Sequence, residues 1–274
     1  YSAMDHVTMQ DVVTFTGSAS TGKKLKSHPN IVQESVPFNL EADSLNAAVL
    51  GLQAAPGTPE FDLFIKEVRK EMTVKCGQKC TAVRRIVVPE NYVGDVQAAL
   101  AKALSQTAIG LPTHEKVRMG ALASMSQKSD VLEKIGILQA QSELVYQGDL
   151  SQLIDANGEN GAFIAPTLFL NSKPFENLSS HEVEAFGPVA TILPYKTTDE
   201  AVAITKLGKG SLVSSITTFD DQEAKEYAIE AAAYHGCILV LNRESAVEST
   251  GHGSPMPMLV HGGPGRAGGG EEMG

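Results

Sequence analysis

Apolar residues recur at helical spacing behind a Thr58-Pro59 start: Phe61, Phe64, Ile65, Val68 and Met72 fall on one face. The pattern predicts a helix opening at Pro59, because proline fits a first turn, where its missing N–H costs no intrahelical bond. Similar faces run through Val96, Leu100 and Leu104, and through Val131, Ile135 and Leu138. Short apolar or β-branched runs at 86–88, 144–146, 189–194, 212–219 and 237–241 read as strands, with helices near 201–204 and over 224–233 between the later ones. Strands alternating with helices predict an α/β fold whose mainly parallel sheet is covered on both faces. The polar, Gly- and Asn-rich stretch 155–161 reads as a loop, and order resumes at 163–166.

Near the start, Val12, Val13, Thr14 and Phe15 form a short strand-like run ending in Thr16-Gly17-Ser18-Ala19-Ser20-Thr21-Gly22. A strand feeding a small-residue turn and a short helix can offer backbone N–H groups to an anion. The spacing matches neither common phosphate-loop pattern, so a plain strand-turn-helix corner stays open beside a nucleotide site. A second run, 35–40, leads to Glu41 within Asn39-Leu40-Glu41-Ala42-Asp43. A carboxylate among apolar neighbours is expected to have its pKa raised by desolvation and to serve as a base near neutrality. Farther on, Gly77-Gln78-Lys79-Cys80 forms a tight connection ahead of the 86–88 strand, and Glu184-Ala185-Phe186-Gly187-Pro188 forms a turn ahead of the 189–194 strand. A free Cys is often only a small buried hydrophobe; a nucleophile needs surroundings that favour the thiolate.

In this order, Phe15-Thr16-Gly17-Ser18 with Gly22, Glu41 in Asn-Leu-Glu-Ala, Gly77-Gln78-Lys79-Cys80 and Glu184-Ala185-Phe186-Gly187-Pro188 resemble the aldehyde dehydrogenase superfamily over nearly the whole chain. The stretch from Glu248 through Pro255 and Pro257, then His261 to Glu272, together with Glu41 to Asn46, is similar to the aldehyde dehydrogenases of bacterial phenylacetate and aerobic benzoyl-CoA degradation. The resemblance implies a catalytic domain over 44–245, the C-terminal part of a Rossmann-like dinucleotide-binding domain over 1–43, and a Gly-rich segment, 246–274, passing the active site and cut short at its end. It implies Cys80 as nucleophile and Glu41 as the base that activates water. Thr16, Gly17, Ser18 and Gly22 would meet the cofactor pyrophosphate, Glu184 the nicotinamide ribose, and Phe186 the nicotinamide ring. The Cys80 N–H would be one oxyanion donor; the family's second, an Asn, and its adenosine-ribose Lys have no counterpart here. The implied cofactor is NADP in preference to NAD, the substrate a CoA-linked semialdehyde, and the full-length protein a homo-oligomer. Where many relatives have Leu-Gly-Gly after the Glu, this chain has Ala42-Asp43-Ser44, which puts the pose of Glu41 in question. A CoA-acylating dehydrogenase and an inactive fragment that binds ligand without turnover remain alternatives; this chain alone is expected to show little activity.

Composition narrows the partners. The 274 residues carry 22 Lys and Arg against 32 Asp and Glu, a formal net charge of −10 without a basic stripe, which argues against nucleic acid or an anionic membrane surface. No apolar run has membrane-spanning length, the start lacks the pattern of a secretory signal, and three cysteines suit a reducing cytoplasm better than a disulfide framework. Cys76, Cys80 and Cys237 complete no zinc pattern with a nearby His, so no metal is expected. None of the seven His residues sits in a recognisable motif, which leaves a Cys-hydrolase reading without its His partner.

Overall fold

The structure, a computed structural model, describes residues 2–254, 256 and 259–273. Pro255 and Pro257 of the C-terminal stretch lie outside the described residues, as do Tyr1, Met258 and Gly274. Among the described residues no helix is long and apolar enough to cross a membrane.

The first part is a small parallel pair. β1 (Val13–Thr16) lies beside β2 (Phe38–Glu41), with Thr16 opposite Glu41, and α1 (Ala19–Lys26) and α2 (Pro29–Gln33) make the crossover. The expected strand over 35–40 therefore begins later, because Ser35 has a left-handed φ of 51° that an extended strand does not admit, and Glu41 becomes its last residue. Ser18 caps α1 by accepting from Thr21 N–H, and Gly22 is buried in α1 against Leu40.

The remainder is built on a seven-stranded sheet. Its strands are β3 (Asn46–Leu50), β4 (Val83–Pro89), β5 (Glu143–Gln147), β6 (Thr167–Leu170), β7 (Val189–Tyr195), β8 (Ser211–Thr217) and β9 (His235–Leu241), ordered β5-β6-β7-β4-β3-β8-β9. All neighbours are parallel except the β5–β6 edge pair. The predicted helices form as α3 (Pro59–Thr73), capped by Thr58 with proline in its first turn, α4 (Val93–Ser105) and α5 (Met125–Gln139). After them come α6 (Ser179–Glu182), α7 (Thr198–Lys206) and α8 (Asp221–Ala231).

Period-two alternation decides which face each strand residue serves. Ala48 and Leu50 pack with Phe61, Phe64, Val68 and Leu100 of α3 and α4, whereas Ala47 and Val49 pack with Val202, Ile204 and Tyr227 of α7 and α8. Strand β3 was not among the expected strands, yet all five of its residues are buried in the interior of the sheet, between β4 and β8. Its Ala47-Ala48 pair lets helices close on both faces, but it lacks the β-branched enrichment by which a strand announces itself.

Asn46 fixes the start of β3 to the loop before β4. Its Nδ2 donates to Cys80 O at 2.8 Å and Ala82 O at 3.0 Å, while Oδ1 accepts from Val213 N–H and Ser44 Oγ. Replacing Asn46 by Ala strands several buried groups and is expected to cost on the order of 2–4 kcal/mol of stability. Denaturant unfolding of Asn46→Ala beside wild type checks this; a midpoint shift within experimental error would contradict it.

Candidate active site

Cys80 sits at the end of a backbone contortion. Lys75, Cys76 and Gly77 have φ values of 52°, 54° and 68°, so the chain leaves α3 through three consecutive left-handed residues. At Gly77 a side chain would be strained and would also strike Gly187 O. The Gly-Gln-x-Cys spacing thus reads as a steric need: glycine lets this loop touch the Glu184–Pro188 turn. Gln78 secures the other side by accepting from Ala123 N–H at 2.8 Å and pairing with Gln127. Lys79 bonds buried Glu71 at 2.8 and 3.0 Å and donates to His252 O at 3.2 Å.

One cavity of about 440 Å³ brings together Thr16, Gly17, Ser18, Glu41, Cys80, Glu184 and Phe186. Gly22 is not in its lining; it serves the packing of α1 on Leu40. The turn after β1 offers an anion fewer donors than its pattern suggests, because Gly17 N–H donates to Glu41 O and Ala19 N–H to Asp43 Oδ1. Glu184 lines the cavity with its carboxylate 3.7 Å from Arg84 Nε, accepting Ser44 N–H at 3.4 Å. Burial outweighs the neighbouring guanidinium and pushes the Glu184 carboxyl up to about 7.

The site also contains a residue that no local motif announced. His261 Nε2 is 3.2 Å from Glu41 Oε2 and 3.9 Å from Cys80 Sγ. The expectation that no His partners the thiol is therefore corrected: 181 positions separate the two residues, and only the fold joins them. His261 lies on β10 (Val260–Gly262), paired antiparallel with β11 (Glu271–Met273). The loop between these strands is fastened to β2. Ala42 N–H donates to Ala267 O at 2.9 Å, Gly270 N–H to Leu40 O at 3.0 Å and Glu271 N–H to Asn39 Oδ1 at 2.9 Å. Gly268, with φ 106°, leaves no room for a Cβ against Leu40 O. Arg266 anchors the same loop on the carbonyls of His181 and Glu182, at 3.1 and 2.8 Å.

This contact reverses the electrostatic expectation for Glu41. Although Glu41 is buried, the hydrogen bond from His261 outweighs desolvation and holds its carboxyl below the usual carboxylate range. Hydrogen bonding to Cys80 and Glu41 raises His261 to about 10. The ligand-type atoms of Glu41, Cys80 and His261 all lie within 4.8 Å of one another, with imidazole and carboxylate in contact at 3.2 Å. Such an array can hold and relay a proton beside a thiol. Cys76 is buried, its thiol pushed up to about 12 by desolvation, and desolvation also raises Cys237 on β9.

Comparison with known proteins agrees with this architecture. A model of the aldehyde dehydrogenase family matches residues 3–274. A 3,4-dehydroadipyl-CoA semialdehyde dehydrogenase from Aromatoleum evansii is 45% identical over 95% of this chain and 51% of its own length. The chain thus spans about half the length of the curated relatives it matches. Among solved structures, betaine aldehyde dehydrogenase from Staphylococcus aureus in complex with NAD+ superposes with TM-score 0.81 at 20% identity, over 96% of this chain and 48% of that one. Succinic semialdehyde dehydrogenase from Streptococcus pyogenes in complex with NADP+ gives 0.79 at 23%, over 96% and 52%. These likenesses show the fold: mixed α/β with a mainly parallel sheet.

Half-buried Cys80 faces the cavity, so mild alkylation followed by peptide mapping should modify it before Cys76 and Cys237. Equal labelling of all three in the folded protein would contradict this placement. A second outcome concerns pH. The folded pKa of His261, about 10, lies above its ordinary value near 6.5, so its stabilising contribution is complete below about pH 6.5 and lost as pH rises through about 10. In thermal melts the gap between wild type and His261→Gln should be widest near pH 6 and close by about pH 10. A gap that ignores pH would show that the pair binds no extra proton.

Proposed function

The chain belongs to the aldehyde dehydrogenase family, and on that premise we propose that the protein containing it oxidises an aldehyde carried on coenzyme A to the acid. The observation that supports this most directly is the meeting of Cys80, Glu41, Glu184 and Phe186 in one cavity, brought there from three separate segments. The 45% identity to a CoA-semialdehyde dehydrogenase supports the substrate class. We read residues 1–43 as the end of the cofactor domain, 44–245 as the catalytic domain and the remainder as the segment crossing the site.

The residues fit the nicotinamide end of a dinucleotide. Glu184 faces the cavity with one long N–H bond and an ion pair, so its oxygens can accept ribose hydroxyls, and Phe186 supplies a flat apolar surface beside them. Thr16, Gly17 and Ser18 line the same cavity, where a pyrophosphate would compete with Asp43 for Ala19 N–H. When bound, the oxidised nicotinamide, NADP in preference to NAD, accepts the hydride.

The chain's own residues supply the rest. The Cys80 thiolate attacks the aldehyde carbon and forms a thiohemiacetal whose developing oxyanion the Cys80 backbone N–H can meet. Once the carbon has been oxidised, a thioester joins it to Sγ. Glu41 then takes a proton from water as the water oxygen attacks the acyl carbon, and the C–S bond breaks to return the thiolate. Because Glu41 is held ionised below the usual carboxylate range, it is ready to accept a proton at neutral pH, though as a weak base.

In the full-length protein, Glu41→Gln should retain a rapid burst of reduced cofactor while steady turnover falls by about 10²- to 10⁴-fold. Stopped-flow kinetics with a short semialdehyde separates the two phases. Equal loss of burst and turnover would move Glu41 out of thioester hydrolysis.

A further inference from the structure

We infer that His261 is a third catalytic residue, the group that takes the proton from Cys80 Sγ before the sulfur attacks the aldehyde. The inference rests on the reading of Cys80 as nucleophile and adds the source of its thiolate. A single atom carries it: His261 Nε2 is within reach of both Cys80 Sγ, at 3.9 Å, and Glu41 Oε2, at 3.2 Å. In the step, the S–H bond breaks with its electron pair staying on sulfur, and the proton forms an N–H bond at Nε2. The imidazolium that results lies against the Glu41 carboxylate. The trio carries one negative charge before the transfer and one after it, so no net charge is created in a half-buried site.

Glu41 is a poorer acceptor for this proton. A free thiol releases its proton near pH 8.5, whereas the Glu41 carboxyl is held below its already acidic ordinary value, so direct transfer would run uphill by several powers of ten. An imidazole beside a carboxylate is far better matched, and this one keeps its proton up to about pH 10. The carboxylate therefore acts on the imidazolium rather than on the thiol, stabilising the cation once the proton is on Nε2. The geometry is not that of a floppy tail. β10 and β11 pair with each other, and the loop between them is bonded to Leu40 and Ala42 on either side of Glu41, so base, carboxylate and thiol share one frame.

The test uses the full-length protein without cofactor and follows iodoacetamide labelling of Cys80 near neutral pH in wild type and His261→Gln. An unassisted thiol is only a few per cent ionised there, so the variant should label about 10- to 30-fold more slowly. The ultraviolet absorbance of a thiolate should be present in wild type and missing from both His261→Gln and Cys80→Ser. Equal labelling rates and an unchanged thiolate signal in His261→Gln would overturn the inference. Should Gln loosen the segment, seen as faster proteolysis between β10 and β11, the wild-type minus Cys80→Ser absorbance decides alone. No thiolate signal there overturns the proposal. Aldehyde oxidation retained by Cys80→Ser would instead sink the parent reading of the nucleophile, so the two failures are told apart.

Discussion

Arg84 Nη2 donates to Gly77 O at 2.7 Å and its Nη1 to Gly187 O at 2.6 Å, so one buried guanidinium ties the loop before Cys80 to the turn that carries Glu184 and Phe186. Burying such a charge costs several kcal/mol unless hydrogen bonds and a counter-charge offset it. Here the two carbonyls, the Glu184 carboxylate and the Phe186 ring, 5.4 Å from the guanidinium carbon, share the task. Burial disfavours the charged form of both ions, raising Glu184 and lowering Arg84, and the cation persists because arginine starts from so high a pKa. The contact between the Cys80 loop and the Glu184–Pro188 turn depends on this arrangement. Gly77 and Gly187 approach too closely for any side chain, and Arg84 bridges them across the start of β4.

The surroundings of Glu41 are organised largely by backbone. Leu40 and Ala42 exchange main-chain bonds with the loop between β10 and β11, leaving Glu41 between two fixed points. The run Gly262-Gly263-Pro264-Gly265-Arg266-Ala267-Gly268-Gly269-Gly270 would suit a flexible linker by composition alone. Its close approach to Leu40 explains part of that composition: Gly268 adopts φ 106° and Gly270 touches the same strand. Arg266 pins the run to α6, so a glycine-rich stretch is held as a defined loop.

Local signals were legible and distant ones were not. The Thr58-Pro59 start, the apolar stripe of α3 and the runs that become β4, β7, β8 and β9 carry their patterns in consecutive residues, and the structure places elements there. Gly77-Gln78-Lys79-Cys80 could be recognised because a tight backbone needs glycine at a fixed offset. β3 went unseen because its burial comes from helices on both faces, and alanines in sequence do not reveal that. His261 escaped for a stronger reason: its meaning lies in Cys80 and Glu41, which reach it only through the β2 connection. The pKa of Glu41 was misjudged for the same cause, since burial was legible and the imidazole was not.

Glu41 is thus asked for two opposed things. As the partner of His261 it must stay ionised and in contact, which lowers its basicity; in the proposed role of base for thioester hydrolysis it must accept a proton from water. The chemistry proposed at sulfur relieves the conflict. While Sγ is a thiolate, the imidazolium is held by two anions; once Sγ is acylated the sulfur is uncharged and only Glu41 remains to hold it. An imidazolium with one anionic partner is more acidic than one with two, so proton loss from His261 becomes easier when the thioester forms. A neutral imidazole lowers the carboxyl pKa less than an imidazolium does, and Glu41 regains basicity at the stage when water must be activated. A single His–Glu contact can therefore favour the thiolate in the first half of the reaction and release the base in the second.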